Sequence, residues 1–207
     1  MGLRIEGGNM LKNIVFDIGN VILKFDPLNY LLKEFDSIDD INFLYEKVFK
    51  SKEWTDLDRG IITNKEGAER LSTRENIPFE EVLKILENWP KTALIPIEST
   101  LEFIKHLKNS GRYKLYLLSN FPKEGFSYVE KNHAFIKYFD GKIISSDYLQ
   151  LKPEREIYES LLNEFKLIGE ETVFIDDRKE NIDGAQALGI SGIWYRDSND
   201  LLDIFNI

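Results

Sequence analysis

The chain alternates between short runs of β-branched residues and amphipathic stretches, most regularly over residues 96–195. Runs of this composition, bounded by turn residues, are typical of β-strands. Helical patterns separate most of the runs, so consecutive strands are expected to be joined by right-handed crossovers. The sequence therefore predicts an α/β fold built on a Rossmann-like parallel sheet. The predicted strands cover residues 13–16, 114–118, 142–145, 172–175 and 191–195.

Proline and glycine mark the ends of the predicted helices. Pro96 is expected to open one helix and Gly111 to end it. Pro153 is predicted at the first position of the next helix, where its missing N–H leaves no helical hydrogen bond unmade. A third helix is expected to end at Gly189.

Residues 28–92 interrupt this alternation, because they contain helical patterns and no strand. A helical block directly after the first strand indicates a lid over the C-terminal edge of the sheet. The alternative is a helical elaboration without a catalytic role. We expect an α/β core of residues 11–27 and 93–207 and an inserted small, all-helical cap of residues 28–92. Its predicted helices cover 28–35, 41–49, 65–71 and 79–86, with a turn at Asp58, Arg59 and Gly60.

Carboxylates follow two of the predicted strands. Asp17 stands in IVFDIGNV, and the pair Asp176 and Asp177 stands in TVFIDDRKEN. Open parallel sheets present their active-site residues at the C-terminal tips of strands. Carboxylates that converge there raise one another's pKa unless a cation lies among them. The pattern favours a divalent metal and an anionic ligand, although each acidic group taken alone could simply cap a loop or a helix.

Two further positions offer groups for an anion. Ser119 and Asn120 end the run LYLLSN, where a hydroxyl and a backbone N–H suit phosphate oxygens. Lys152 precedes a predicted helix, and both its ammonium and the helix N-terminus favour an anion. Taken singly, the Ser-Asn pair is a common turn and a lysine at this place is a solvated charge.

Composition excludes several classes of partner. The formal net charge of −9 and the pI near 4.9 disfavour nucleic acid and anionic membrane surfaces as partners. The absence of cysteine excludes disulfides and thiolate metal sites and favours a reducing compartment. No apolar run approaches the length of a membrane span, and residues 1–10 lack a signal-peptide core. We expect a cytoplasmic protein, in which residues 1–10 are a loose tail or precede an alternative start at Met10.

In their order along the chain, Asp, Ser, Lys and Asp-Asp resemble the four motifs of the haloacid dehalogenase (HAD) superfamily of phosphohydrolases. The resemblance covers nearly the whole chain, and residues 28–92 fall where that superfamily places its cap. The segments FDIGNVILKFD, LLSN, LKPEREIYESLL and FIDDRKENIDGAQALGI are similar to one branch in particular. This branch contains bacterial α-D-glucose-1-phosphate phosphatases and the phosphatase domain of soluble epoxide hydrolases.

The resemblance implies a nucleophile and a metal site. Asp17 would attack phosphorus and form an aspartyl-phosphate, which divides a difficult hydrolysis into two displacements. Mg²⁺ would be bound by the carboxylates of Asp17 and Asp177 and the backbone carbonyl of Gly19. Asp176, with Asn181 nearby, would lie behind these ligands and orient a metal-bound water or the catalytic lysine.

The same resemblance implies a phosphate site. Lys152 would have a catalytic role, because its charge offsets the charge of the transferring phosphoryl group. The Ser119 hydroxyl and the Asn120 N–H would fix the orientation of that group. The expected partner is a small phosphorylated molecule, and the sequence predicts no particular oligomeric state.

Gly19 departs from the pattern of the superfamily, whose phosphatases usually carry a second Asp there as general acid. Losing a general acid typically lowers the rate by about 10²–10⁴-fold. A better leaving group, such as the anomeric oxygen of a sugar 1-phosphate, would need less help, and a cap residue or a water could supply the proton. The cap candidates are Trp54, which could line the pocket, and Asp56, Asp58 and Arg59, for which a solvated charged turn is the alternative.

These observations predict a Mg²⁺-dependent phosphatase that acts on a small phosphorylated metabolite, with a sugar phosphate such as a hexose 1-phosphate as the candidate substrate. One alternative is a phosphate-binding or regulatory protein that lost turnover together with the general acid. The other is a 2-haloacid dehalogenase, an enzyme class that needs no metal. The acidic pair Asp176-Asp177 argues against the dehalogenase, since that class lacks it.

Overall fold

The computed structural model describes residues 10–197 and residue 201. Its strands are β1 (Asn13–Phe16), β2 (Leu23–Phe25), β3 (Leu94–Pro96), β4 (Lys114–Ser119), β5 (Gly141–Ile144), β6 (Thr172–Asp176) and β7 (Ser191–Trp194). Its α-helices are α1 (Pro27–Glu34), α2 (Ile38–Leu44), α3 (Lys52–Arg59), α4 (Asn64–Glu75), α5 (Phe79–Asn88), α6 (Pro90–Ala93), α7 (Glu98–Ser110), α8 (Lys123–Asn132), α9 (Ser145–Tyr148), α10 (Arg155–Phe165) and α11 (Lys179–Gln186). Tyr45–Phe49 forms a π-helical turn, and Ala134–Tyr138 and Gly169–Glu171 are 3₁₀ turns.

Five of the strands form one parallel sheet in the order β5-β4-β1-β6-β7. All residues of the central strand β1 are buried, as expected of a parallel strand that is covered by helices on both faces. Phe16 of β1 lies opposite Leu117 of β4 and Ile175 of β6. The C-terminal tips of these three strands therefore meet at one edge of the sheet. The predicted α/β Rossmann-like fold is confirmed.

Two apolar clusters cover the two faces of the sheet, because successive strand residues point to opposite sides. Val15, Leu118 and Phe174 pack with residues of α10 and α11. Phe16, Leu117 and Ile175 pack on the other side with residues of α7, α8 and the helical segment. The sheet is thus fixed from both faces, which gives its C-terminal edge a rigid support.

Between β2 and β3, all regular structure is helical, from α1 to α6. The two short strands pair antiparallel, with Leu23 opposite Pro96 and Phe25 opposite Leu94, and this pairing joins the helical segment to the core. The predicted core and cap boundaries, 11–27 with 93–207 and 28–92, stay a prediction. Residues 1–9, 198–200 and 202–207 lie outside the described residues, so most of the predicted tail at residues 1–10 lies outside them too.

The end of α3 docks on the core at α9. Gly60 follows α3 with φ +79°, and a Cβ there would lie 2.3 Å from the carbonyl oxygen of Ser146. The Ser145 hydroxyl donates a hydrogen bond to the carbonyl oxygen of Asp58. Arg59 forms an ion pair with Glu154, with Nη1 2.9 Å from Oε2. The helical segment is thereby held against the C-terminal edge of the sheet.

Several local predictions need correction. Asp58 and Arg59 belong to the last turn of α3 and only Gly60 is a turn residue, so the predicted turn begins too early. Pro96 ends β3 instead of opening α7, which begins at Glu98. Pro153 lies ahead of α10, because Leu151 and Glu154 close a turn through a 2.8 Å backbone hydrogen bond before the helix begins. None of the helices in the described part of the chain is long and apolar enough to cross a membrane.

Candidate active site

Asp17 lies directly after β1, and three donors converge on a single oxygen of its side chain. The backbone N–H of Ile18 and the hydroxyl of Ser119 each donate to Oδ1 at 2.7 Å. Nζ of Lys152 lies 2.9 Å from the same atom. Oδ2 receives no hydrogen bond from the described residues. The carboxylate is therefore fixed in orientation through one oxygen, while the other remains available to a ligand.

Lys152 is buried and bridges two carboxylates. Its Nζ is 2.7 Å from Oδ2 of Asp176 and also donates to the carbonyl oxygen of Leu118 at 3.1 Å. Burial alone would lower the pKa of the ammonium, but the charges of Asp17 and Asp176 outweigh burial and raise this pKa. Lys152 is accordingly held as a cation between the tips of β1 and β6.

The Asn120 side chain positions the lysine. Its Nδ2 donates to the carbonyl oxygen of Lys152 at 3.0 Å, and its Oδ1 accepts from the Lys152 N–H at 2.8 Å. This reciprocal pair ties the tip of β4 to the turn before α10. The Asn120 amide is thus committed to the backbone, and only its main-chain N–H matches the predicted contact with phosphate.

The two adjacent aspartates at the end of β6 have different surroundings. Asp176 is fully buried, and its carboxylate accepts hydrogen bonds from Lys152, from the N–H of Arg178 and from Nδ2 of Asn181. Asp177 is half-buried, lines the cavity above the sheet edge and accepts a 3.0 Å hydrogen bond from Asn20. Asp177 therefore has the freer carboxylate of the two.

The site carries an excess of negative charge. Carboxylate oxygens of Asp17, Asp176 and Asp177 lie within 4.8 Å of one another. Burial raises the pKa of Asp17 to about 7, the charge of Asp176 adds to this rise, and Lys152 opposes it. Burial also raises the pKa of Asp177. One ammonium does not neutralise three carboxylates, so the cluster is suited to a cation.

A second observation fits a bound cation with its waters. Oδ1 of Asn181 is buried and has no hydrogen-bond partner among the described residues, although its Nδ2 contacts both oxygens of Asp176. Asn181 and Gly19 line the same cavity as Asp17 and Asp177. Oxygen ligands of this kind are the ones that Mg²⁺ prefers. The residues present therefore fit the predicted metal.

Only two of the four cap candidates reach the cavity. Trp54 and Asp58 line it, since residues four apart on α3 share one face of the helix. Asp56 faces the other way and contacts Lys52 at 2.5 Å and Arg70 at 3.7 Å. Arg59 binds Glu154 of the core instead. The prediction that Asp56 and Arg59 reach toward the nucleophile is therefore corrected.

The electrostatic environment of Asp58 links it to the nucleophile. Burial raises the pKa of its carboxyl to about 8, and the negative charge of Asp17 adds to the rise. The positive charges of Lys152 and Arg178 oppose it. Asp58 is thus a carboxyl group that remains largely protonated at neutral pH and shares a cavity with Asp17.

Sequence reasoning missed a set of aromatic residues that line the cavity. They come from distant parts of the chain, and nothing in their spacing predicts that they meet. The aromatic content of the helical segment is that of the whole chain, so composition gave no signal either. These residues are Phe25, Phe49, Trp89 and Phe121, in addition to the predicted Trp54.

Comparison with known proteins agrees with this geometry. The sequence profile of the haloacid dehalogenase-like hydrolases matches residues 11–189, so the chain belongs to that family. It is 27% identical over 187 residues to a sesquiterpene phosphatase of Aspergillus oryzae, covering 90% of this chain and 91% of the relative. It is also 26% identical over 202 residues to a phosphorylated carbohydrates phosphatase of Thermotoga maritima, covering 89% and 84% of the two chains.

Among solved structures, a HAD family enzyme from Bacteroides thetaiotaomicron superimposes with a TM-score of 0.74 at 25% identity, covering 94% of this chain and 98% of that one. The same enzyme in complex with magnesium and inorganic phosphate gives a TM-score of 0.72 at 24% identity, covering 90% and 94%. The predictions of the family and of a phosphatase-type hydrolase are thereby confirmed.

Proposed function

We propose that the protein is a Mg²⁺-dependent phosphatase that hydrolyses a small phosphate monoester through an aspartyl-phosphate on Asp17. The observation that carries the proposal is the fixation of Asp17 by Lys152 and Ser119 beside an acidic pair. These contacts fix the orientation of the Asp17 carboxylate, so that one of its oxygens can attack phosphorus while the other serves the metal. The phosphatase activity of curated relatives supports the same reaction type.

We assign the metal to Asp17, Asp177 and the Gly19 carbonyl, and leave Asp176 as the group that holds Lys152. Asp176 suits that role because donors contact both of its oxygens. When bound, Mg²⁺ neutralises charge on the phosphoryl group and lowers the repulsion between that group and the carboxylates. The neighbouring structure with magnesium and phosphate supports the choice of ion.

In the first step, a carboxylate oxygen of Asp17 attacks phosphorus and the bond from phosphorus to the leaving oxygen breaks. The electron pair of that bond goes to the leaving oxygen, which takes a proton and departs as the alcohol. Lys152 stabilises the charge on the phosphoryl group, while the Ser119 hydroxyl and the Asn120 N–H orient it. In the second step, a water attacks phosphorus, the bond to Asp17 breaks, and phosphate leaves.

We propose Asp58 as the source of the proton that Gly19 cannot supply. Asp58 lines the cavity opposite the nucleophile, and the hydrogen bond from Ser145 to its carbonyl oxygen fixes the end of α3. A Cβ at position 19 would meet no atom within 4 Å, so the core leaves open the space where a second Asp would stand. After donating its proton, the Asp58 carboxylate can accept one from the attacking water in the second step.

Two substrate classes are candidates. A sugar phosphate, such as a hexose 1-phosphate, is favoured by the resemblance of the motifs and by the relative that acts on phosphorylated carbohydrates. A terpenoid phosphate is favoured by the relative named as a sesquiterpene phosphatase. A cytoplasmic location and the absence of nucleic-acid and membrane partners remain predictions of the sequence.

The test is phosphate release from p-nitrophenyl phosphate with and without Mg²⁺. We expect Asp17→Asn and EDTA each to abolish release, whereas Asp183→Asn, at an exposed carboxylate of α11 outside the cavity, retains it. Release that is indifferent to both Asp17→Asn and EDTA would contradict the proposal. Trapping beryllofluoride on Asp17 without any hydrolysis would favour the non-catalytic, phosphate-binding alternative.

A further inference from the structure

The cavity above Asp17 has a volume of about 540 Å³, which is within the usual range for small-molecule sites. Its lining combines two kinds of chemistry. One set of residues carries the phosphate and metal groups described above. The other set is five aromatic side chains, called here the aromatic wall: Phe25, Phe49, Trp54, Trp89 and Phe121.

The rings of the aromatic wall pack against one another. Trp54 lies at the centre, with its ring centroid 4.9 Å from Phe49, 5.1 Å from Trp89 and 5.7 Å from Phe25, with which it stacks. Trp89 continues the row to Phe121 at 5.8 Å. Aromatic pairs in such geometries contribute about 0.5–1.5 kcal/mol beyond burial. The aromatic wall is therefore a preformed surface.

Two polar side chains next to the aromatic wall are engaged in hydrogen bonds that hold the fold. The Ser51 hydroxyl donates to the carbonyl oxygen of Val48 and accepts from the N–H of Trp54. Asn20 donates to Asp177 and accepts from the N–H of Phe25. The Ser51 hydroxyl and the Asn20 amide thus already serve the fold, while Lys50 and Thr55, which also line the cavity, are exposed to solvent.

The aromatic wall itself carries only two polar groups, the indole N–H groups of Trp54 and Trp89, and both can only donate. A sugar phosphate that was pressed against it would leave several hydroxyl groups without partners. Each polar group buried without a partner costs about 1–3 kcal/mol. A hydrocarbon has no such cost and gains from burial against the rings.

We infer that the alcohol part of the substrate is a hydrocarbon, an isoprenoid chain or an arene, and not a polyol. This inference rests on the proposed function, because it assigns the ester group of the substrate to Asp17. The phosphate lies at the sheet edge, and the hydrocarbon lies along the aromatic wall. Specificity for the leaving alcohol thus comes from the residues of the aromatic wall.

The first test compares citronellyl phosphate with glucose 6-phosphate, which are both esters of primary alcohols and so need similar help in leaving. Even one methylene in an apolar pocket changes selectivity by about 10–200-fold, so we expect kcat/KM for citronellyl phosphate to be at least about 100-fold higher. Equal values, or a preference for glucose 6-phosphate or glucose 1-phosphate, overturn the inference.

The same assay separates the two proposals. Hydrolysis of p-nitrophenyl phosphate that depends on Asp17, without hydrolysis of citronellyl phosphate, leaves the proposed function intact and overturns the hydrocarbon assignment. No Asp17-dependent release from any ester overturns both.

The second test changes the aromatic wall. Trp54→Gln is expected to lower the ratio of kcat/KM for citronellyl phosphate to kcat/KM for glucose 6-phosphate by at least about tenfold. Phe43→Gln is the matched control, because Phe43 is a cap aromatic residue that is 42% exposed and lies outside the cavity. An equal loss in both variants, or an equal loss on both substrates, counts against the inference.

A measurement on the unaltered protein covers the case in which Trp54→Gln does not fold. Citronellol is expected to inhibit hydrolysis of p-nitrophenyl phosphate competitively, and glucose at the same concentration is expected to have no effect. Inhibition by glucose, or no inhibition by citronellol, overturns the inference without any variant.

Discussion

Replacing Asp58 by asparagine tests whether the cap supplies the leaving-group proton. The amide has nearly the same size and fits the same place on α3, but it is not an acid. Burial raises the pKa of the Asp58 carboxyl to about 8, above neutral pH, which favours the protonated form that a general acid needs. We therefore expect Asp58→Asn to lower kcat/KM for an ester of a primary alcohol by about 10²–10³-fold, which is within the usual contribution of a general acid.

The loss should depend on the leaving group. p-Nitrophenolate departs without a proton, so its phosphate ester is expected to lose less than about tenfold in the same variant. The assay is kcat/KM for a series of phosphate monoesters whose leaving alcohols span a wide range of pKa. The dependence on leaving-group pKa should be steeper in Asp58→Asn than in the unaltered enzyme.

Asp56→Asn is the matched control, because Asp56 lies on the same helix but contacts Lys52 and Arg70 outside the cavity. It should leave the leaving-group dependence unchanged. A uniform loss across the ester series in Asp58→Asn, or the same steepening in Asp56→Asn, would refute the assignment of Asp58 as proton donor.

The pH profile provides a second measurement of the same group. A donor must be protonated, so the rate on primary alkyl esters should fall as the pH rises through the pKa of Asp58, and this fall should be absent in Asp58→Asn. Asp17 raises this pKa, and Lys152 and Arg178 oppose the rise. A cation bound at Asp17 removes part of the raising charge, so Mg²⁺ should shift the fall to lower pH without changing its direction.

Three further substitutions test the site and the cap contact. Asp17→Asn should raise the Tm of the metal-free protein at pH 8. The pKa of Asp17 is about 7 in the folded protein and 3.8 in the unfolded chain, so the protein loses stability as the pH rises between these values, by at most about 4 kcal/mol. In thermal unfolding, Mg²⁺ should stabilise only the unaltered protein. Lys152→Met should lower the free energy of unfolding by about 3–5 kcal/mol in urea titrations, because it leaves buried carboxylates unpaired. The control Lys142→Met removes an exposed ion pair and should change the free energy of unfolding by less than about 0.5 kcal/mol. Gly60→Ala should lower the free energy of unfolding by about 1–3 kcal/mol more than Gly111→Ala does. Both glycines have a positive φ, but of the two only Gly60 lies against a backbone carbonyl of the core. Equal losses would show that backbone strain alone is responsible.

The sheet could be predicted because its central strands are short apolar runs that end in polar residues. β1, β4 and β6 were predicted to within one residue at each end for this reason. β2 and β3 could not be, because they have three residues each and β3 contains Pro96. Strands this short carry no detectable alternation, and they are stabilised by their antiparallel pairing and by the burial of Leu23 and Leu94 in the core.

The residues of the helical segment that line the cavity could not be predicted, because their orientation is not contained in the sequence. Which of Asp56 and Asp58 faces the cavity depends on how α3 is rotated about its own axis. The sequence predicted a turn at 58–60 instead of a helix, so the facing side could not be predicted. The aromatic wall was hidden for a related reason: its residues come from β2, the π-helical turn, α3, the end of α5 and the loop after β4. Each of them, taken alone, looks like a core residue.

The proposed assignment of the acid to Asp58 links acid catalysis to the docking of α3. An acidic residue at position 19 would belong to the core and would act whether or not α3 were docked. Asp58 belongs to α3, whose end is docked on α9 by the hydrogen bond from Ser145 to the Asp58 carbonyl and by the close approach of Gly60 to Ser146. In the proposed mechanism, proton donation therefore depends on the docking of α3. The same helix carries Trp54, so one docked helix would position both the proposed acid and the centre of the aromatic wall.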